Sequence, residues 1–283
     1  MTLESSRNSN NDSTNSPWGV VLLAHGSQRG KHTAEGLQDM VQRLQVELGG
    51  SSDDVQVACL EFIKPDLTES VSALVKRGRS RITVMPFLLG KGTHLTDDLE
   101  EEIGKALKQC PGTDIRPSAP LGSDQAMADI VVDRVLAQTR ALNGAVVASP
   151  RGVMLVKAGT RSKREDHQWF REFGEMVEKK LGDTFAVAVA QSHFGTPTME
   201  EAAQQLADRG VTSMICVPYI FFPGVILTRN IEGGIEELKQ SFPDIALSVT
   251  DTLGIDDRLV SLTARRIQDV WSTSESSLTA LPE

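Results

Sequence analysis

Residues 85–103 read MPFLLGKGTHLTDDLEEEI, and residues 217–235 read VPYIFFPGVILTRNIEGGI. Laid side by side without a gap, the two stretches share a proline, a glycine, a Leu-Thr pair and an isoleucine. Pro86 and Pro218 set the offset, 218 − 86 = 132. The same offset relates Leu121-Gly122 to Leu253-Gly254 and Asp124 to Asp256, and Gly26-Ser27 matches Gly159-Thr160 at 133. Generic βα units would not hold so constant a spacing between turn positions, so the chain is a tandem duplication.

Within each copy, strand-like and helix-like stretches alternate. Val20 to Leu23 is a short unbroken apolar run, the pattern of a strand covered on both faces. A helix follows from Thr33 to Leu48 and is closed by Gly49-Gly50. Strands at Val55 to Leu60, Ile82 to Leu89 and Asp114 to Arg116 are separated by helices at Leu67 to Arg77 and His94 to Lys108, with a last helix at Gln125 to Gln138. The order restarts with a strand at Val153 to Val156 and ends in a helix at Asp257 to Val270; a helix is expected over Leu227 to Gln240. The fold class is therefore α/β, with parallel sheets of about four strands flanked by helices and joined by right-handed crossovers. The expected organisation is a leader over residues 1–17, a first α/β domain over 18–140, a linker over 141–151, a second domain over 152–273 and a tail over 274–283.

Bulk composition narrows the function. The chain has 283 residues, 40% hydrophobic and 24% charged, with a net charge of −9 and a pI near 5.2. An acidic protein is a poor partner for nucleic acid or an anionic membrane, both of which need a basic surface. Cys59, Cys110 and Cys216 show no CxxC spacing, so neither a disulfide framework nor a thiolate zinc site is expected. Cys59 and Cys216 sit in apolar runs and read as core thiols, which suits a reducing cytoplasm. No apolar run reaches membrane-spanning length. The Ser/Asn-rich leader lacks the apolar stretch of a signal peptide and holds too little apolar surface to order itself. With two acids against a single arginine, it also fits a plastid transit peptide poorly.

Ligands of parallel sheets bind outside the carboxyl ends of the strands. In the first copy those ends carry His25 in Ala24-His25-Gly26-Ser27, Glu61 in Leu60-Glu61-Phe62, and His94 in Gly90-Lys91-Gly92-Thr93-His94. Two imidazoles and a carboxylate suit a first-row divalent metal with open coordination positions, and imidazole is a base near neutral pH. A single histidine at a strand end is more often a cap or core residue; three such groups on one edge, two beside glycines, favour the site. His32 and His167 fall in helical or loop stretches and read as surface residues. The acids Asp97, Asp98, Glu100, Glu101 and Glu102 read as a solvated helix start. Arg29, Lys64 and Lys91 are equally consistent with ordinary loop cations and with contacts to substrate carboxylates.

The second copy keeps the frame and changes the chemistry. His25 becomes Ala158, His94 becomes Ile226 and Glu61 becomes His193. Phe221, Phe222, Pro223, Val225 and Ile226 make the corresponding loop apolar, consistent with packing or with the wall of a pocket for a flat ligand. His193 either faces the cleft or is a polar loop residue.

LLAHGS at the first strand, ACLEF at the second and MPFLLGKGTHLTDDL after the third resemble the CbiX family of class II tetrapyrrole chelatases, over most of residues 18–140, with the later repeat matching its long, duplicated form. The resemblance implies two α/β domains facing each other across a cleft that holds a tetrapyrrole. It implies ATP-independent insertion of a divalent metal, Co²⁺ ahead of Fe²⁺, into sirohydrochlorin on the way to cobalamin or sirohaem, with the metal as substrate and no organic cofactor. By position it makes His25 and His94 the metal ligands and Glu61 the accompanying acid. Ser27, Lys91, Gly92, Thr93 and His193 are candidate substrate contacts. With both halves of the cleft in one chain, a monomer is sufficient. The competing readings are a metal or tetrapyrrole carrier using the same cleft and a nucleotide-binding α/β protein; no GxGxxG or P-loop follows any strand, which argues against the latter.

Overall fold

A computed structural model describes residues 18–26, 31–49, 54–60, 63–90, 93–142, 150–159 and 167–276; at 31, 93–97 and 273–276 it describes the backbone alone. The leader expected over 1–17 and the centre of the linker, 143–149, lie outside the described residues.

The first repeat runs β1 (Trp18–Ala24), α1 (Lys31–Leu48), β2 (Val55–Cys59), α2 (Leu67–Lys76), β3 (Arg81–Pro86), α3 (Thr93–Gln109), β4 (Asp114–Pro117) and α4 (Gln125–Ala141). The second runs β5 (Arg151–Lys157), α5 (Gln168–Leu181), β6 (Phe185–Gln191), α6 (Met199–Asp208), β7 (Ser213–Pro218), a π-helical turn (Ile226–Ile231), α7 (Glu232–Ser241), β8 (Ala246–Val249) and α8 (Asp257–Ser276). Each repeat forms a four-stranded parallel sheet, in the orders β2-β1-β3-β4 and β6-β5-β7-β8. The duplication extends to the caps: Asp66 with Glu69 and Thr198 with Glu201 form reciprocal capping boxes at the starts of α2 and α6.

The unbroken apolar strands feed different cores from alternate residues. On β1, Val20 and Leu22 join a core shared by both repeats, while Val21 and Leu23 join an outer core under α2 and α3. On β5, Val153 and Leu155 join the shared core, and Met154 and Val156 an outer core under α6 and α7. Both faces of each sheet are thereby covered, which explains why neither strand alternates with polar residues.

The helix expected over Leu227 to Gln240 opens instead as a π-turn, in which the amide of Glu232 donates to the carbonyl of Leu227. The Thr228 hydroxyl donates back to the Gly224 carbonyl at 3.3 Å, a side-chain bond of the kind that loosens a helical turn.

The middle layer departs from the order read along the chain. On the inner face of the first sheet, α1 packs on β2, but β3 is covered by α8 from the second repeat. On the second sheet, α5 packs on β6 while α4, from the first repeat, lies on β7. The last helix of each repeat thus completes the other repeat's sheet. The Trp271 indole donates to Thr83 Oγ1 on β3 at 2.8 Å, and the Arg116 guanidinium lies 4.4 Å from the indole centre. Polar contacts lock the exchange. Arg266 reaches Asp124 Oδ2 at 3.1 Å, and its repeat equivalent Arg134 donates to the Leu253 carbonyl at 3.0 Å.

Candidate active site

The sheet register fixes where the first-copy residues leave the fold. β1 lies between β2 and β3, with Ala24 opposite Cys59 and Leu23 opposite Pro86. The amide of Leu60 donates to the carbonyl of Ala24 at 2.9 Å, and that of Phe87 to Leu23 at 2.8 Å. The chain therefore leaves three adjacent strands at one level, at Ala24, Leu60 and Phe87, the first followed by His25 and the others leading toward Glu61 and His94. His25 is exposed at the end of β1, followed by Gly26 at φ 94°, where a side chain would be strained. The His94 backbone lies in the first turn of α3; its side chain and that of Thr93 are not among the described atoms. Glu61, Ser27, Lys91 and Gly92 lie outside the described residues, as does Arg29. Among the described residues no group of three His, Cys, Asp or Glu side chains forms a metal cluster.

The second repeat reproduces this scaffold. The Ser192 amide donates to Lys157 at 2.9 Å and the Tyr219 amide to Val156 at 2.7 Å, at the positions of Leu60 and Phe87. His193 occupies the Glu61 position. Its Nδ1 lies 2.8 Å from Ser192 Oγ and 3.2 Å from Asn230 Nδ2 on the π-turn, and its ring is 4.8 Å from that of Phe194. A bond from the Asn230 amide would leave Nδ1 as acceptor and the ring proton on Nε2. The loop is pinned from below. A Cβ on Gly159 would fall 1.3 Å from the His193 carbonyl oxygen, so only glycine lets the two backbones approach.

The two carboxyl edges meet. Phe87, just past β3, stacks on Phe221, just past β7, with ring centroids 4.3 Å apart. Phe222 packs toward Gly36 on α1, so these two aromatics of the second-copy loop serve inter-repeat packing. Val225 on the same loop is 49% exposed.

A cleft of about 370 Å³ lies on the outer flank, between the start of α2 and the middle of α3, lined by residues including Cys59, Ile63, Lys64 and Lys105. Its cations are already matched: Lys64 pairs with Asp66 and Glu69, and Lys105 with Glu101 and Glu102. The Lys64 ammonium in turn holds the Asp66 carboxyl below its usual range. Asp98, Glu100 and Glu101 are exposed along α3, in keeping with a solvated acidic face. All three cysteines are buried and free; burial pushes the Cys216 thiol up to about 12. Of the two histidines read as surface residues, His32 is exposed and paired with Glu35, whereas His167 is half-buried and its carbonyl accepts from the amides of Phe170 and Arg171 that begin α5.

The CbiX family model matches residues 19–138 and again 152–270. The chain belongs to the CbiX family. Both matched segments start in the first strand of a repeat and end in its last helix, so the CbiX unit coincides with the sequence repeat. Among relatives, a sirohydrochlorin ferrochelatase of Priestia megaterium is 24% identical over 257 residues, covering 90% of this chain and 91% of its own. A sirohydrochlorin ferrochelatase of Bacillus subtilis is 27% identical over 225 residues, covering 78% and 80%. A sirohydrochlorin cobaltochelatase of Sulfurisphaera tokodaii is 32% identical over 118 residues, 42% of this CbiX chain but 91% of the relative, which is the length of a single repeat. The solved structure of SirB from Bacillus subtilis with Fe³⁺ superposes with a TM-score of 0.73 at 21% identity, over 92% of this chain and 98% of that one, and shares its fold.

Two features of this CbiX chain have no counterpart in the sequence reading. Lys157 is a buried cation, 7% exposed, at the end of the central strand of the second sheet, where the first has Ala24. Asn230 is a side chain from a distant turn that lies against His193 Nδ1 beside Ser192. A lysine closing an apolar strand was the available signal for the former. The latter depends on the π-turn and had none.

Proposed function

We propose that this chain inserts a divalent metal, Co²⁺ or Fe²⁺, into sirohydrochlorin without ATP, using one metal-handling site built on the first repeat. The observation that supports the reading is the register that ends β1, β2 and β3 side by side, the three strands after which His25, Glu61 and His94 follow in the chain, together with the absence of both histidines from the second repeat. The relatives that align over both repeats include ferrochelatases, which sets Fe²⁺ beside Co²⁺ as the metal substrate.

The chemistry asks for three things. Water must be stripped from the metal, two pyrrole N–H protons must leave as the metal enters, and the macrocycle must bend toward it. His25 and His94 would hold the metal on one face of the ring. A histidine or Glu61 would take the protons, since imidazole and carboxylate are bases of suitable strength. Lys91, Ser27 and backbone amides at the start of α3 (Gly92, Thr93) would hold substrate carboxylates, as helix N-termini favour anions. His193 would offer a further polar contact from the second repeat, as a donor if its ring proton is on Nε2. One chain would supply both halves of the cleft, so a monomer is sufficient, and the cytoplasm is where its substrates would meet it.

An anaerobic spectrophotometric assay of sirohydrochlorin with Co²⁺, Fe²⁺ and Ni²⁺ in turn tests this. The expected result is conversion of the free-base spectrum well above the spontaneous rate with Co²⁺ or Fe²⁺. Tight binding of the tetrapyrrole with no acceleration for any metal would instead make the chain a carrier.

A further inference from the structure

Two contacts of the inter-repeat seam are related by the duplication, and they are crossed. α1 and α5 align at an offset of 133, which equates Leu37, Met40 and Leu44 with the buried Phe170, Phe173 and Val177, and Gly36 with Trp169. The loops after β3 and β7 align at 132, which equates Gly90 with Phe222. A Cβ added to Gly36 would lie 2.0 Å from Phe222 Cε1, and one added to Gly90 would lie 2.9 Å from Trp169 Cζ2. Each contact is an aromatic ring seated on a glycine of the other repeat. In one the ring comes from the loop and the glycine from the helix; in the other these roles are exchanged. Neither glycine has a positive φ, so the need for glycine at both places is one of space.

We infer that this arrangement makes the repeats specific partners for each other. The first repeat presents glycine at both seam positions, and the second presents an aromatic at both. Two first repeats brought together by the same pseudo-two-fold would set Gly36 against Gly90 twice and leave two voids. Two second repeats would set Trp169 against Phe222 twice and overlap. Voids and overlaps both destabilise a packed interface, and a penalty on like pairs is what gives pairing its specificity. The partner that fits the first repeat's seam is therefore a surface with aromatic rings at these two positions, which the second repeat has and a second copy of the first repeat lacks.

The full-length chain tests this by thermal melting of a double-mutant cycle. Trp169→Gly and Gly90→Phe are each expected to lower Tm by about 5–10 °C. Combined, they rebuild on this side the geometry that Gly36 and Phe222 already show on the other, and Tm should recover by at least half of the summed loss. Gly36→Trp with Phe222→Gly is the mirror cycle; a folded double variant whose singles fail to fold counts as recovery. The like-with-like variants, Trp169→Gly with Phe222→Gly and Gly36→Trp with Gly90→Phe, should be less stable than either crossed double. Additive losses in both cycles, or an all-aromatic seam as stable as the native one, would overturn the inference.

Discussion

Phe87 and Phe221 stack across the seam with ring centroids 4.3 Å apart and planes inclined by 13°. One follows the first repeat's third strand and the other the second repeat's, so this pair is where the two carboxyl edges are joined. Both loops lead onward to site positions, toward His94 in one repeat and Ile226 in the other. A double-mutant cycle of Phe87→Leu and Phe221→Leu should give a coupling of about 0.5–1.5 kcal/mol in stability, the range for stacked aromatic pairs beyond their area. Denaturant titration measures it; zero coupling would mean that the rings are merely neighbours.

His25→Ala and His94→Ala are each expected to reduce metallation by at least about 10²-fold, the scale of losing one directing group at a catalytic centre, with Tm within a few degrees of the native chain. Ala158→His and Ile226→His in the second repeat should create no second activity, because the Glu61 position is held there by His193, which brings no carboxylate. His193→Ala should raise KM for the tetrapyrrole more than it lowers kcat. Full turnover in either first-copy variant would remove the assigned metal ligands.

The exchange of α4 and α8 makes the first sheet depend on the end of the chain. Trp271→Ala deletes the bond to Thr83 and the stacking with Arg116, and should cost about 2–4 kcal/mol, as for other large aromatic truncations. A chain ending before Asp257 should show the larger effect, loss of cooperative folding of the first repeat, although every residue of that repeat is retained. Amide exchange in β3 is the direct readout, and native-like protection there would contradict the packing described.

Asp256 is held below the usual carboxylate range chiefly by hydrogen bonding to Arg258, which also pairs with Asp133 at 2.8 Å. A depressed folded-state value means that the stabilisation is present above pH about 4 and is lost as pH falls through the folded value. Asp256→Asn should therefore lower Tm at pH 7 and converge with the native chain as pH falls below about 4. A constant difference across that window would assign the effect to packing.

Some of this was legible in the residues. The repeat offset, the strands with apolar residues on both faces and the glycines after them gave the parallel sheets and the carboxyl edge after whose strands the candidates His25, Glu61 and His94 follow. The same reading left the apolar loop Phe221-Phe222 open between packing and pocket wall. The structure assigns those two rings to packing because their partners, Phe87 and Gly36, lie more than a hundred residues away.

By itself, then, the sequence determined two βα repeats and the parallel strands whose ends precede the candidate residues His25, Glu61 and His94, since periodicity and turn residues are local properties of a chain. Only the tertiary structure decided that α4 and α8 trade sheets, that Asn230 lies against His193 and that the second repeat seats two aromatics on glycines of the first. Those are contacts between distant segments, where many pairings satisfy the same local pattern and close packing selects one.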